Sequence, residues 1–308
     1  MTTEARVTHV RHIGVGVQDY DKQVEFYKGV WGLNSIGGEA GLSYFAAEGS
    51  PEQYIVRVRK SDVNRVDTIA FAVEDAAAVD SMATSLAESG VRFAAEPGPL
   101  QGPGGGYGFR FFDPDGRVVE ISSDVEERPF RLLEPREDIP QKLSHLVMYS
   151  PNPQLVMDFY QQKLGFKLSG WLQDYFGFLR CTPDFHSLAI VKGDARLHHI
   201  SFELRGYDEY MRGVGRLLKT GLPMPFGIGK HTPADSTFAY FIDPNGNTNE
   251  YVAPQEMVMD DATYQPPVWG SGTPGDVWGT ARSQNLPEDP TVSRHTEPDK
   301  GLWVAPPV

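Results

Sequence analysis

Hydrophobic and polar positions alternate over many short stretches of this chain, as in "RLHHISFEL", residues 196–204. Neighbouring side chains of a strand point to opposite faces, so this stretch predicts a half-buried strand with one polar face. Strict alternation assigns Ile200, Phe202 and Leu204 to the apolar face. The same rule puts His198 on that face, in a structural role of packing or capping. It leaves His199 on the polar face, pointing toward a group that needs a nitrogen ligand.

A helical pattern precedes the strands in the second half of the chain. Asn152 is a good N-cap residue and Pro153 suits the first helical position, whereas Gly165 is typical of a helix end. Between them, one apolar stripe is formed by Leu155, Val156, Phe159 and Leu164. Short alternating segments such as "HSLAIVKG" and "TFAYFID" follow, separated by Gly, Pro and Asp turns, and these predict strands.

The chain contains an internal repeat. The segment "RHIGVGVQDYDKQVEFYKGVWGL" resembles "SHLVMYSPNPQLVMDFYQQKLGF", with a Phe-Tyr pair 14 and 15 residues after the histidine and a glycine 20 residues after it in both. Further along, "VDTIAFAV" corresponds to "LHHISFEL", and "FFDPDGRVVEI" corresponds to "FIDPNGNTNEY". Three matched blocks in the same order predict a duplicated module of roughly 130 residues, each copy reading as strand, helix and several strands.

The repeat and its flanking segments predict the domain organisation. We expect an N-terminal scaffold module at residues 1–132, a linker at 133–141, a catalytic module at 142–256 and an irregular tail at 257–308. The linker "LEPREDIPQ" is charged and contains proline, and the tail has no periodicity. Because the tail carries Trp269 and Trp278, we expect it to pack on the body, as a lid over a site.

Composition limits the class of protein. The 308 residues give room for about two domains, and the formal charge of −13 argues against a nucleic-acid or anionic-membrane partner. The sequence contains no run of about 18 apolar residues, so we expect no membrane-spanning helix. Cys181 is the single cysteine, which rules out an intramolecular disulfide and fits a reducing compartment. We therefore expect a cytoplasmic protein.

The two copies differ at their polar positions. The second copy has His145, His199 and Glu250 where the first has His12, Thr68 and Glu120. Two imidazoles and one carboxylate are the donor set of the facial triad that binds non-heme Fe(II) and leaves adjacent positions open. The three residues are far apart in sequence, so such a site depends on the fold. Since two ligands seldom hold iron, we expect the first copy to be a scaffold without a complete metal site.

The chain resembles a known family. The repeat, the "LHHISF" block and the "DPNGNTNEY" block are similar to the type I extradiol ring-cleavage dioxygenases of the vicinal oxygen chelate superfamily, over residues 7–255. The resemblance implies an α+β fold of four βαβββ units in two domains, each domain a curled mixed sheet around a cavity. It also implies metal ligation by His145, His199 and Glu250, with Fe(II) as the metal or Mn(II) in its place. Members form homo-oligomers, commonly tetramers or larger.

The resemblance extends to three further residues. His186 in "DFHSLAI" corresponds to an acid–base histidine of the family, and His231 and Tyr240, 19 and 10 residues before Glu250, correspond to groups that bind the substrate oxygens. Histidine suits such proton transfers because its ordinary pKa is about 6.5. The implied activity is extradiol (meta) cleavage of a catechol by O2 to a muconic semialdehyde-type product, in the degradation of aromatic compounds.

Three alternative functions remain open at this point. They are a hydroquinone dioxygenase using the same triad, a glyoxalase- or isomerase-like metal enzyme, and a non-catalytic binding protein of the bleomycin-resistance type. Phe185, Trp171, Phe226 and Tyr240 near the motifs favour an apolar or aryl-substituted catechol over a carboxylated one. A carboxylate would call for an arginine clamp, which Arg282 and Arg294 would supply if the tail folds over the site.

Overall fold

The computed structural model describes residues 5–287 and 303–307. The first half of the chain forms β1 (His9–Val17), α1 (Tyr20–Glu25) with a π-helical turn (Phe26–Trp31), β2 (Asn34–Glu39), β3 (Leu42–Ala46), β4 (Val56–Lys60), β5 (Arg65–Ala72), α2 (Ala76–Glu88), β6 (Phe93–Pro99), β7 (Tyr107–Phe112) and β8 (Val118–Ser123). The second half forms β9 (Lys142–Ser150), α3 (Pro153–Leu164), β10 (Lys167–Leu172), β11 (Phe176–Arg180), β12 (Leu188–Lys192), β13 (Arg196–Glu203), α4 (Tyr207–Lys219), β14 (Phe226–Lys230), a short 3-10 turn (Pro233–Asp235), β15 (Thr237–Ile242), β16 (Thr248–Val252) and β17 (Val268–Trp269).

The element order is four consecutive βαβββ units, two in each of two mixed sheets. The first sheet has the order β2-β3-β4-β1-β5-β8-β7-β6, and the second has the order β14-β15-β16-β13-β9-β12-β11-β10-β17. Within each unit the first and last strands pair in parallel, and the two units of a sheet join through an antiparallel pair, β1 with β5 and β9 with β13. The predicted duplicated vicinal oxygen chelate fold of the α+β class is confirmed.

Helix α3 begins and ends where its sequence signals predict. Asn152 Oδ1 accepts a hydrogen bond from the Leu155 backbone N–H, and Gly165 ends the helix with a φ of +73°. The buried face carries Val156, Met157, Tyr160 and Leu164. The prediction that Leu155 belongs to this face is wrong, because its side chain is 52% exposed. Position 155 lies in the first turn of the helix, at the edge of the apolar stripe.

The two modules are joined by reciprocal polar contacts at the repeated Asp-Pro turns. The hydroxyl of Tyr160 on α3 donates to Asp113 Oδ2 of the first module at 3.3 Å. The amide of Gln23 on α1 donates to Asp243 Oδ2 of the second module at 2.8 Å. Each repeated turn therefore contacts the helix of the other copy. Strand β8 ends at Ser123 and β9 begins at Lys142, and the expected linker at 133–141 lies in this connection.

Residues 257–287 of the tail pack on the second sheet, whereas Trp303 lies against Phe112 of the first sheet, with ring centroids 5.6 Å apart. Strand β17 pairs in parallel with β10 at the sheet edge, with Val268 opposite Trp171 and Trp269 opposite Leu172. Residues 288–302 and 308 of the expected tail lie outside the described residues. No helix in the described part of the chain is long and apolar enough to cross a membrane.

Candidate active site

Three neighbouring strands bring His145, His199 and Glu250 together. The residues lie on β9, β13 and β16, and their ligand atoms are all within 4.8 Å of one another. Nε2 of His145 is 3.2 Å from Nε2 of His199, and the two nitrogens are 3.1 and 3.3 Å from Glu250 Oε2. Ligands at right angles, each roughly 2.1 Å from an ion, stand roughly 3 Å apart. The near-equilateral triangle therefore fits one face of an octahedral metal ion.

The electrostatics of these three groups also fit a cation. All three side chains are buried, and Glu250 Oε2 has no hydrogen-bond partner among the described residues. Burial alone would raise the pKa of Glu250, but the neighbouring imidazoles of His199 and His145 hold it well below its usual value. Burial lowers the pKa of His145, although Glu250 opposes this shift. A buried carboxylate and two neutral imidazole nitrogens, all with lone pairs directed at one point, form a metal-binding site.

Two short contacts orient the imidazoles of the triad. Nδ1 of His145 lies 3.1 Å from Ser144 Oγ, and Nδ1 of His199 lies 2.7 Å from Nδ1 of His198. With Nε2 of each ring directed at the metal position, each Nδ1–H donates to its neighbour. Such contacts fix the tautomer and the orientation of metal-binding histidines. His198 is therefore the hydrogen-bond acceptor of His199.

The prediction that His198 packs on the opposite face of its strand is wrong. The pairing of β13 with β9 shifts register between Leu197 and His199, so that His198 is the extra residue of a β-bulge. A bulge breaks the alternation of side chains. Arg196, His198 and His199 all line the same cavity, and Leu197, a residue of the core, also borders it. The His198 ring lies against Tyr149, with centroids 4.8 Å apart.

His186 lies beside the triad. Its ring centroid is 3.9 Å from that of His145, and its backbone N–H donates to Gln255 Oε1 at 3.0 Å. Burial and the nearby His145 hold the pKa of His186 well below its usual value. Its Nδ1 is buried and has no hydrogen-bond partner among the described residues. The residue therefore offers a neutral imidazole with free hydrogen-bonding capacity next to the metal position.

His231, directly after β14, and Tyr240, on β15, form a hydrogen-bonded pair. His231 Nδ1 lies 2.8 Å from the Gly275 carbonyl oxygen, and its Nε2 lies 2.9 Å from the Tyr240 hydroxyl. Because a carbonyl only accepts, Nδ1 carries the proton and Nε2 accepts from the phenol. Burial lowers the pKa of His231, and burial together with the charge of Glu250 raises the pKa of Tyr240 well above 10. A neutral base is thus held next to a phenol donor.

All six predicted site residues line one cavity of about 520 Å³. Its walls are mostly apolar and aromatic, with Val147, Tyr149, Leu172, Tyr175, Phe176 and Phe178 among them. The tail contributes Thr273, Pro274 and Gly275. The sequence predicted a tail over a site but did not indicate which of its residues reach the cavity, and it did not assign Arg196 or His198 to the cavity. The signal for the last two was present in "RLHHISFEL", but the bulge reverses the face that alternation assigns to them.

The residues expected to shape the substrate pocket are only partly in the cavity wall. Phe226 and Tyr240 line it, whereas Phe185 is buried behind Phe178 and Trp171 packs against the main core. Of the arginines expected as a clamp, Arg282 donates to the carbonyl oxygens of Gly279 and Ala281. Arg294 lies outside the described residues.

The corresponding site of the first module is closed by side chains. His12 and Glu120 are buried there, but Glu120 pairs with Arg110 at 2.8 Å and the His12 ring lies against Tyr54. Burial and nearby arginines, Arg57 first, hold the pKa of His12 well below its usual value. The cavity that remains is about 20 Å³, space for one water molecule rather than a substrate.

Comparison with known proteins gives the family. Residues 9–121 and 142–251, one stretch in each sheet, match the model of the Glyoxalase/Bleomycin resistance protein/Dioxygenase superfamily. These two stretches cover more than half of the chain. The protein therefore belongs to this superfamily.

Individual relatives carry two kinds of name. The chain is 29% identical to metapyrocatechase 2 of Cupriavidus necator, over 61% of this chain and 67% of the relative. It is 24% identical to the manganese-dependent 2,3-dihydroxybiphenyl 1,2-dioxygenase of Geobacillus genomosp. 3, over 86% and 90%. It is also similar to the crystal structure of the Mn(II)-bound glyoxalase from Novosphingobium aromaticivorans. That match has a TM-score of 0.91 and 40% identity, and it covers 97% of this chain and 98% of the other.

Proposed function

We propose that this protein is an extradiol dioxygenase that cleaves a catechol ring next to its two hydroxyl groups, using O2 and a divalent metal. The observation that carries the proposal is the position of His186 and of the His231–Tyr240 pair, all lining the cavity at the His145–His199–Glu250 site. Metal binding alone does not require these three additional groups. The dioxygenase names of the relatives from Cupriavidus and Geobacillus support the same activity.

The chemistry that the bound metal supplies is chelation of both catechol oxygens beside O2 and electron transfer from the ring to O2. The charges of the three ligands determine the charge of the metal site. Two neutral imidazoles and one carboxylate leave a divalent ion with a net positive charge, which favours an anionic catechol. The donor set suits Fe(II), which we propose as the metal. Mn(II) is the alternative, since two of the compared proteins are named for manganese.

Proton transfer is proposed for the two groups beside the metal position. Tyr240 donates its hydroxyl hydrogen to His231 Nε2, so a catechol oxygen near Tyr240 has a phenol and a neutral base to take up its proton. His186, a neutral imidazole beside the metal position, would take up a proton from the substrate and return it to a reacting oxygen atom. Both roles need a histidine that is neutral at the working pH, which agrees with the lowered pKa values of His231 and His186.

The cavity walls support an apolar or aryl-substituted catechol as substrate. Leu172, Phe176, Phe178 and Phe226 surround the space next to the triad, and such walls hold an aromatic ring and exclude water. The product would be a muconic semialdehyde-type compound from the degradation of aromatic compounds. We further propose a cytoplasmic homo-oligomer, a tetramer or larger, by analogy with the resembling family.

A glyoxalase-like activity is the second candidate, because the 40% identical crystal structure bears that name. An enzyme of that kind usually draws its metal ligands from paired modules. Here all three ligands come from the second sheet, and Arg110 occupies the corresponding space in the first. This arrangement supports the dioxygenase proposal over the glyoxalase alternative. A hydroquinone would bind at the same triad. The experiment below therefore compares hydroquinones with catechols as substrates.

The test is anaerobic reconstitution with Fe(II) or Mn(II), followed by O2 and a panel of catechols, hydroquinones and the hemithioacetal of methylglyoxal and glutathione. We expect O2 uptake and a yellow ring-fission product with catechols, and neither in a His199→Ala variant. A metal-loaded protein that isomerised the hemithioacetal and consumed no O2 with any diol would overturn the proposal. O2 uptake with hydroquinones alone would move the activity to para-diol cleavage.

A further inference from the structure

Arg196 presents a positive charge to the cavity. It is the first residue of β13, lines the cavity wall, and lies with its guanidinium carbon 4.6 Å above the ring of Tyr149. No carboxylate lies within ion-pair distance of it among the described residues. The cation–π contact orients the guanidinium but leaves its N–H edge without an acceptor among the residues that the structure describes.

Two other cations of the second sheet form ion pairs. Lys230, the residue before His231, pairs with Asp235 at 2.8 Å. Arg180 pairs with Asp261 at 2.6 Å. An arginine that lines a ligand cavity without such a partner is the group that an anionic part of a ligand would meet. The free charge of Arg196 therefore has a position suited to substrate recognition.

A row of aromatic rings connects the metal position with Arg196. Centroid distances are 3.9 Å from His145 to His186, 5.4 Å from His186 to Phe178, 4.5 Å from Phe178 to Phe176, 6.5 Å from Phe176 to His198 and 4.8 Å from His198 to Tyr149. Arg196 and His199 lie three residues apart on the same strand, and both side chains line the cavity. The guanidinium is therefore placed to meet a substituent of a catechol held at the triad.

We propose that Arg196 determines substrate specificity by binding an acidic group, a carboxylate, at the end of an aryl substituent on the catechol. The inference rests on the proposed function and narrows its substrate class. The aromatic row contacts the substituent, and the guanidinium forms a bidentate pair with the carboxylate. Tyr149 fixes the plane of the guanidinium before the substrate arrives, which limits the entropy lost on binding.

The experiment measures binding, not turnover. Anaerobic calorimetry on the metal-loaded enzyme compares 2,3-dihydroxybiphenyl with the 3- and 4-carboxylates of 2′,3′-dihydroxybiphenyl. We expect the wild type to bind one carboxylate about tenfold more tightly than the neutral compound. Arg196→Ala should lose this preference and keep its affinity for the neutral compound within about twofold. Arg196→Lys should keep part of it, because lysine has the charge but not the planar fork.

Lys192→Ala is the matched control, since it removes one positive charge from an exposed residue of β12, a strand of the same sheet. It should leave the preference unchanged. Equal preference in the wild type and in Arg196→Ala, or no preference in the wild type, would overturn this inference alone. If neither kind of catechol bound to the wild type, the proposed function would fail and this inference would fail with it. Metal content and melting temperature establish that each variant is folded.

Discussion

Arg110 and Tyr240 occupy equivalent positions in the two sheets, and each pairs across its sheet with the glutamate ten residues further along the chain. Arg110 Nε donates to Glu120 at 2.8 Å, so its guanidinium neutralises that carboxylate. Tyr240 carries no positive charge, so Glu250 keeps its charge for a cation, and the Tyr240 hydroxyl lies 2.9 Å from His231 Nε2. The same position of the repeat therefore carries an arginine that neutralises the site in the first sheet and a tyrosine beside the metal site in the second.

The first prediction is one metal ion per chain. His199→Ala should abolish metal binding, because it leaves two ligands, whereas His12→Ala should leave metal content unchanged. His12 is a suitable control because it is the buried counterpart of His145 in the first sheet. Elemental analysis after reconstitution and desalting measures the ratio. Two metal ions per chain, with one lost in His12→Ala, would contradict the assignment of the first module as a scaffold.

His198 should control metal affinity without binding the metal. It accepts the Nδ1–H of His199 at 2.7 Å, and loss of such an outer contact typically weakens metal binding about 10- to 100-fold. His198→Ala should show this loss in a competition titration with a chelator. His198→Asn, whose side-chain oxygen can accept the same hydrogen, should restore part of the affinity. Unchanged affinity in both variants would show that the contact does not orient His199.

Local sequence signals predicted the parts of the fold that depend on local geometry. The ends of α3 follow from the capping chemistry of Asn152 and Gly165. The triad could be predicted because the duplication aligns His199 with Thr68. Only the second copy then has three metal-ligand residues at the matched positions. The face of His198 could not be found this way. A bulge is a feature of hydrogen-bond register with the partner strand, and one extra residue reverses the faces of everything before it.

The contribution of the tail was also beyond prediction in detail. Its tryptophans indicated packing on the body, but no periodic pattern marks the residues that reach the cavity. Gly275 acts through its backbone carbonyl, which accepts from His231 Nδ1 at 2.8 Å. Any residue type supplies a carbonyl, so the sequence holds no signature of this contact. The tautomer of His231 is thus set by a group that only the folded chain identifies.

Tyr240 should affect turnover more than binding of the metal. Tyr240→Phe removes the hydroxyl that donates to His231 Nε2 at 2.9 Å, and loss of a proton-transfer group typically lowers the rate about 10²- to 10⁴-fold. We expect kcat to fall by about a hundredfold or more while metal content stays normal. Tyr175→Phe, at another tyrosine of the cavity wall, is the control and should stay within a few-fold of wild type. Equal losses in the two variants would assign Tyr240 a packing role.

Asp276 should hold the tail against the active site. Its carboxylate accepts from the backbone N–H groups of Lys230, Trp278 and Ala281. Asp276→Ala should release this segment, leaving His231 without its carbonyl partner. We expect lower kcat and faster proteolysis within residues 270–284. Asp260→Ala, in another turn of the tail, should change neither, so similar proteolysis in the two variants would contradict the prediction.

His12 should make the stability of the chain depend on pH. Its pKa in the folded protein is held well below the ordinary value of about 6.5 by burial and by nearby arginines, Arg57 first. Below pH 6.5 the unfolded chain binds a proton at this residue and the folded chain does not, so acid favours unfolding. The penalty grows by up to about 1.4 kcal/mol per pH unit. Denaturant unfolding of chelator-treated protein should therefore show a smaller loss of stability between pH 7 and 5 for His12→Gln than for wild type. Above pH 7 the difference in unfolding free energy between the two proteins should be constant. Equal losses of stability in the two proteins between pH 7 and 5 would contradict the prediction, because the folded protein would then bind this proton too.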